Sequence, residues 1–65
     1  QYEELTDREL LVLKLVASGL SNQEIADELV VTLGAIKKHN QRIYRKLDVS
    51  NRTQAIRRAQ ELHLF

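Results

Sequence analysis

Four long polar side chains lie on one side of a predicted helix near the middle of the sequence. They belong to Lys37, Lys38, Gln41 and Arg45. All four fall within about 60° of Gly34 when an α-helix turns by about 100° per residue. Residues 33–47 contain no Asp or Glu, so this face lacks the ion pairs that stabilise an ordinary exposed helix. Donors without acidic partners of their own are suited to the phosphates and base edges of nucleic acid.

Catalytic and metal-binding chemistry has little support in the sequence. The chain has no cysteine, and its two histidines, His39 and His63, lack the spacing of metal ligands. There is no Gly-x-Ser-x-Gly motif and no glycine-rich phosphate loop. A chain of 65 residues also offers little volume for an enclosed pocket. We therefore expect no enzyme activity, no catalytic residue, no cofactor and no metal.

Charge is divided unevenly along the chain, although the formal net charge is only +1. Residues 1–36 carry seven acidic and two basic side chains, whereas residues 37–58 carry eight basic and one acidic. Such a basic segment indicates a polyanionic partner, either nucleic acid or an anionic surface. Basic side chains that only keep a helix solvated would give the same count, so charge alone leaves both interpretations open.

Helix start signals divide the chain into four segments. Thr6 with Glu9 and Ser21 with Glu24 form capping boxes that open the first two helices. Good N-cap residues also precede the third and fourth. The predicted helices span about 7–18, 22–29, 33–47 and 52–62. We therefore predict an all-α four-helix bundle that forms a single domain over residues 1–65. No apolar run approaches the roughly 20 residues that cross a membrane.

The second and third predicted helices have the arrangement of a helix-turn-helix. A short helix, a three-residue turn and a longer helix follow one another, and the longer helix carries the acid-free face. An α-helix fits the major groove of B-DNA. Lys37, Lys38 and Gln41 stand in the first two turns of the third predicted helix, where lysine can donate to guanine and glutamine can pair with adenine.

Other polar residues are placed to contact the DNA backbone. Arg45 and Lys46 lie later on the third helix, and Ser21 and Asn22 begin the second helix, whose free N–H groups suit a phosphate. These placements predict sequence-specific binding of double-stranded DNA.

A second hypothesis is a helical protein-docking module whose basic face binds an acidic partner. Such a face would more often expose an aromatic or leucine side chain, and the acid-free face of the third helix has none. Gln41 among cations favours base recognition instead. Leu10 and Leu11 lie off the apolar stripe of the first helix. They either extend a small core or form a docking patch for another domain.

Several motifs at fixed mutual spacing resemble the LuxR-type helix-turn-helix domain, over nearly the whole chain. They are Leu5-Thr6-x-Arg8-Glu9-x-x-Val12-Leu13, Gly19-Leu20-Ser21-Asn22-x-Glu24-Ile25-Ala26, Ile36-Lys37-Lys38-His39, Ile43-Tyr44-Arg45-Lys46-Leu47 and Asn51-Arg52-Thr53-Gln54-Ala55. The last motif is similar to the ending of the large ATP-binding regulators related to the maltose regulator.

The resemblance implies the C-terminal output domain of a bacterial, cytoplasmic transcription regulator, most often an activator, that binds DNA as a homodimer. The expected base contacts are Lys37, Lys38 and Gln41. The expected backbone contacts are Ser21, Asn22, Thr32, Arg42, Arg45, Lys46, Arg52 and Thr53. The expected dimer interface on the fourth helix is Ala55, Ile56 and Ala59. An N-terminal regulatory domain outside this fragment and RNA polymerase complete the expected partners.

Three residues depart from the LuxR-type pattern. Ala35 stands where threonine is common, Asn40 where an apolar residue is usual, and Asp48 where glycine follows the recognition helix. A buried Asn40 amide would need hydrogen-bond partners, because an unpaired buried polar group costs roughly 1–3 kcal/mol. Asp48 is expected in a left-handed conformation, as is Gly19 at the end of the first helix.

Overall fold

The computed structural model describes residues 3–65 and contains four α-helices, with no strand in that range. The helices are α1 (Asp7–Ala17), α2 (Asn22–Leu29), α3 (Leu33–Leu47) and α4 (Arg52–Glu61). The predicted all-α class is confirmed. Helices α1 and α4 each end one residue earlier than predicted, because Ser18 and Leu62 are their C-caps. Gln1 and Tyr2 of the predicted domain lie outside the described residues.

Side-chain caps determine where the helices begin. The Thr6 hydroxyl accepts from the Glu9 N–H at 3.1 Å, and the Glu9 carboxylate accepts from the Thr6 N–H at 2.9 Å. Ser21 and Glu24 repeat this reciprocal box at 3.1 and 2.8 Å. The single caps of α3 and α4 are Thr32 and Asn51. Each cap satisfies an N–H group that the helix itself leaves free.

Helix α3 lies at the centre of the fold and packs against each of the other three helices. Its buried side carries Ile36, Ile43 and Leu47, all 0% exposed. Burial of each such side chain contributes about 1.5–3 kcal/mol. The other members of the core are Val12, Leu13, Val16, Ile25, Ala26, Ala55 and Ala59. One side of α3 is thus held by the core, which fixes the direction of its polar side.

The segment before α1 is tied to the end of α3. The Glu3 N–H donates to the Lys46 carbonyl at 2.8 Å, and the Arg45 guanidinium lies 3.0 Å from the Glu3 carboxylate. The segment that leads into α1 therefore lies next to the last turn of α3.

A residue with positive φ follows each of the four helices, and His63 (φ 53°) is the one after α4. Gly19 (φ 94°) and Asp48 (φ 57°) adopt positive φ, as predicted. Val30 (φ 56°) does so as well, in the turn between α2 and α3, and it is 90% exposed. This conformation lets the Val31 N–H reach the Ala26 carbonyl at 2.9 Å, which closes α2 in the manner of a Schellman motif. A β-branched residue is strained at positive φ and is seldom found there. Nothing in the sequence therefore predicted this conformation at Val30.

We expect Val30→Gly to stabilise the domain. Glycine relieves a left-handed conformation that costs an L-residue about 1–2 kcal/mol. Its greater freedom in the unfolded chain offsets about 0.5–1 kcal/mol of that gain. The net increase in the free energy of unfolding should be about 0.5–1 kcal/mol by urea denaturation, because Val30 is too exposed to lose much packing.

Gly19→Ala is the matched control and should change stability in the opposite direction. A Cβ at Gly19 would have no heavy atom within 4 Å, so the loss would come from the positive φ, at about 1–2 kcal/mol. The smaller freedom of alanine in the unfolded chain would offset about 0.5–1 kcal/mol of that loss. A Val30→Gly variant that is less stable than the parent chain by about 0.5–1 kcal/mol, the full cost of glycine's freedom in the unfolded chain, would show that Val30 is not strained.

Candidate nucleic-acid interface

The exposed side of α3 carries a group of polar residues that we call the basic face. It comprises Lys37, Lys38, Gln41 and Arg42, all of which are exposed. Within residues 3–65, the three cations of this face form no ion pair. The sequence expectation of cations without acidic partners therefore holds for these three. A counter-charge for them must come from outside the described chain.

Two cap residues border the turn between α2 and α3. The hydroxyls of Ser21 and Thr32 accept from the N–H groups of Glu24 and Ala35, each at 3.1 Å. Both residues are exposed. A hydroxyl that accepts one hydrogen bond still has its own proton to donate. Ser21 and Thr32 can therefore cap a helix and donate to an external oxygen together.

The two basic residues in the last turn of α3 already have acidic partners. Arg45 pairs with Glu3, and both side chains are more than 60% exposed. Lys46 Nζ lies 2.7 Å from Glu9 Oε1, and these side chains are only 15% and 5% exposed. Sequence reasoning counted acids within α3 alone and missed partners supplied from α1 and the segment before it. Contacts of Arg45 and Lys46 with the DNA backbone remain predictions.

The Glu9 carboxylate is stabilised in its ionised form. Burial raises its pKa, but the hydrogen bond and charge of Lys46, with the hydrogen bonds of Thr6, outweigh burial and lower the pKa below 4.5. The same Oε1 atom accepts from Thr6 N–H and from Lys46 Nζ. One oxygen therefore joins the start of α1 to the end of α3.

Arg52 binds carbonyl groups at the end of α1. Its Nη2 donates to the Val16 carbonyl at 2.9 Å and also to the Leu20 carbonyl. These bonds join the start of α4 to the turn after α1, and the side chain is half-buried. The neighbouring Thr53 is exposed. Backbone contacts by Arg52 and Thr53 remain predictions, but the Arg52 guanidinium already has two acceptors.

The residues predicted for a dimer interface lie mainly inside the domain. Ala55 and Ala59 are 0% exposed, because these small side chains one helical turn apart let α4 pack closely on the core. They cannot contact a second chain while the domain is folded, so we correct their assignment. Ile56 is half-buried, and its place in a dimer interface remains a prediction.

Asn40 is buried, and it has the partner that sequence reasoning asked for. It is 7% exposed, and its Nδ2 donates to Asn22 Oδ1 at 2.9 Å. Its own Oδ1 is buried without a partner in the described chain. The residues are 18 positions apart, and only their common amide chemistry could have suggested the pair.

Outside the basic face, the apolar and acidic side chains of residues 3–65 form no second candidate site. Leu11 is 40% exposed, and Leu10 is half-buried beside Leu5 and Leu64. In the described range, no cluster of three or more His, Cys, Asp or Glu side chains could hold a metal ion. No helix of residues 3–65 combines the length and apolarity that crossing a membrane requires.

Comparison with known proteins gives one consistent family. The family model described as "Bacterial regulatory proteins, luxR family" matches residues 3–59. The chain is 49% identical over 63 residues to the transcriptional regulatory protein LiaR of Bacillus subtilis, covering 97% of this chain and 30% of LiaR. It is 49% identical over 55 residues to the response regulator VraR of Staphylococcus aureus, covering 85% of this chain and 26% of VraR. The chain thus spans less than a third of these relatives.

Solved structures agree with the sequence relatives. The response regulator ChrA of a heme-sensing two-component system superposes with a TM-score of 0.93 at 37% identity, covering 100% of this chain and 32% of ChrA. The DNA-binding domain of the response regulator ComA, in complex with the anti-activator RapF, superposes with a TM-score of 0.86 at 42% identity, covering 88% of this chain and 98% of that domain. These relatives are response regulators, whereas residues 51–55 had suggested large ATP-binding regulators.

Glu9→Gln tests the ion pair between α1 and α3. Glutamine can keep the capping box but loses the charge, so we expect the free energy of unfolding to fall by about 1.5–3 kcal/mol, the range for a hydrogen bond to a charged group. A lowered pKa means that the folded state binds fewer protons than the unfolded state. The contribution of Glu9 is therefore complete above pH 4.5 and is lost as the pH falls through its folded pKa.

Denaturation across the acidic range checks both effects. Glu3→Gln is the matched control, because the exposed pair with Arg45 should contribute no more than about 1 kcal/mol. Equal losses in the two variants would contradict the assigned importance of Glu9.

Proposed function

The chain belongs to the luxR family of bacterial regulatory proteins, and on that basis we propose that it binds specific sequences of double-stranded DNA. In this proposal it is the output domain of a cytoplasmic transcription regulator. The observation that carries the proposal is the basic face, where Lys37, Lys38 and Arg42 surround Gln41 and form no ion pair within residues 3–65. Phosphate and base edges would supply the acceptors that these donors lack.

Helix α3 is the proposed recognition helix. The core holds its apolar side, so the basic face can enter a major groove about 12 Å wide without rearrangement of the fold. Lys37 and Lys38 would donate to guanine O6 and N7, and Gln41 would pair with adenine N6 and N7. Lys37 and Lys38 lie in the first two turns of α3 and Gln41 begins the third, which matches the part of a recognition helix that approaches base edges.

Backbone contacts are proposed for donors that remain available. Ser21 and Thr32 retain hydroxyl protons, Arg42 has no acidic partner in the described chain, and Thr53 is exposed. Asn22 belongs to the same proposed set.

Three basic residues that were predicted to contact the DNA backbone already have partners inside the domain. Arg45 would exchange the exposed Glu3 carboxylate for a phosphate. We assign Lys46 and Arg52 a mainly structural role, because each already holds another helix in place.

A homodimer on DNA is proposed through the outward side of α4. Ile56 supplies its partly exposed apolar surface, and the exposed Arg57 and Gln60 flank it. We also propose an N-terminal regulatory domain and RNA polymerase as partners of the whole protein, since the relatives are about three times as long as this chain.

Binding of a protein partner is the second candidate function. RapF, an anti-activator, is in complex with the DNA-binding domain of ComA, which shares this fold. An acidic partner would satisfy the charges of the basic face but would not require Gln41 among them. Discrimination between DNA sequences therefore separates the two functions.

Selection from a random duplex pool, followed by anisotropy titration, tests the proposal. We expect two inverted half-sites whose preference over a scrambled duplex persists at raised salt. Lys38→Ala or Gln41→Ala should reduce that preference by about 1–3 kcal/mol for each good base contact. Lys14→Ala, which removes a charge from α1, is the control. A uniform loss over all sequences would show that Lys38 and Gln41 do not contact bases.

Arg42→Ala should weaken binding equally for the selected and scrambled duplexes. Loss of one phosphate contact should also reduce the slope of log K against log salt by about one unit. Titration at four salt concentrations measures the slope, again beside Lys14→Ala. An unchanged slope would remove Arg42 from the phosphate contacts.

A further inference from the structure

We propose that Asn40 is a positioning residue for DNA binding, whose buried amide turns the amide nitrogen of Asn22 towards a DNA phosphate. This inference rests on the proposed DNA-binding function and deepens it. Asn40 itself would not touch DNA, and its effect would pass through Asn22.

A single hydrogen bond carries this coupling. Asn40 Nδ2 donates to Asn22 Oδ1 at 2.9 Å, and within residues 3–65 no other side-chain hydrogen bond joins α2 to α3. Asn40 is 7% exposed and stands near the middle of α3. The donor is therefore held by a helix whose buried side is fixed in the core.

The bond determines which end of the Asn22 amide faces outward. An asparagine amide has an accepting oxygen and a donating nitrogen. Because Asn40 occupies the oxygen, the Nδ2 of Asn22 is the end left without an acceptor in the described chain, on a side chain that is only half-buried. The reverse orientation would present an oxygen to a phosphate, which also carries only acceptors.

The observed orientation also has the smaller cost inside the domain. It leaves Asn40 Oδ1 buried without a partner in the part of the chain that the structure describes. If both amides were reversed, Asn40 would instead bury an NH2 group whose two donors both lack an acceptor. The chain therefore favours the orientation that presents a donor from Asn22.

The outward-facing amide nitrogen of Asn22 lies close to other hydrogen-bond donors. Asn22 is the first residue of α2, after the Ser21 cap. The capping box uses the N–H of Glu24, so the N–H groups of Asn22 and Gln23 stay free at the positive end of the helix. On α3, Asn40 is about 60° from Lys37 around the helix axis. The Asn22 amide is thus at the edge of the basic face.

The cost of Asn40 to stability argues for a role beyond packing. Its Oδ1 is a buried acceptor without a partner among residues 3–65, which lowers stability. An apolar side chain at this position would avoid that cost. Residues that break a folding rule without a gain in packing are concentrated at functional sites.

The test compares Asn40→Val, Asn22→Ala and the double variant with the parent chain. Each is titrated into the duplex selected by the parent chain, at several salt concentrations, and thermal unfolding is recorded in parallel. We expect each single variant to bind about tenfold more weakly, the size of one hydrogen bond to a charged group. The double variant should bind no more weakly than Asn22→Ala.

Two further readouts separate positioning from a structural role. Neither asparagine carries charge, so the slope of log K against log salt should stay that of the parent chain. Asn40→Val should lose affinity while its Tm is equal to or higher than the parent value, because an unpaired buried acceptor is removed. A structural role alone predicts that affinity and Tm fall together.

Unchanged affinity in Asn40→Val would overturn the inference, as would additive losses in the double variant. If Asn40→Val does not fold, Asn22→Ala decides, since unchanged affinity there would also overturn it. Failure of the parent chain to prefer any duplex would instead overturn the proposed function.

Discussion

Burial of one side of α3 is the constraint on which the rest of the molecule depends. Ile36, Ile43 and Leu47 are fully enclosed by the other helices, so α3 can neither rotate nor slide without exposing core. The direction of Lys37 and Lys38 follows from that enclosure rather than from contacts of their own. A surface made of long, flexible side chains therefore has a rigid base, and little ordering of the backbone would accompany binding.

Polar contacts on the two flanks of α3 complete what the core begins. On one flank the Glu9 oxygen joins the start of α1 to Lys46. On the other, Asn40 bonds to the first residue of α2. Both contacts use partly or wholly desolvated groups, whose hydrogen bonds depend strongly on geometry. Arg52 adds a third connection by joining α4 to the carbonyls of Val16 and Leu20. Each of the helices α1, α2 and α4 therefore takes part in a polar contact as well as in apolar packing.

Local features of the fold were predictable from the sequence, and long-range ones were not. Caps such as Thr6 act within a few residues, so helix starts could be placed from spacing alone. The positive φ of Val30 depends on how α2 and α3 must pack, and valine gives no local sign of it. The resemblance placed Ala55 in a dimer interface, but only the packed structure shows that the core encloses this side chain completely. Partners 37 residues apart, such as Lys46 and Glu9, require the tertiary fold.

The backbone bond between Glu3 and Lys46 has a mechanical consequence. The Glu3 N–H is attached to the last turn of α3 before the chain turns into α1. A pull on the chain at Glu3 would load this bond and the exposed Arg45 pair first, ahead of the apolar core. The segment before α1 is thus anchored to the last turn of α3, so force applied there reaches that turn directly, whereas the basic face lies on the earlier turns of the same helix.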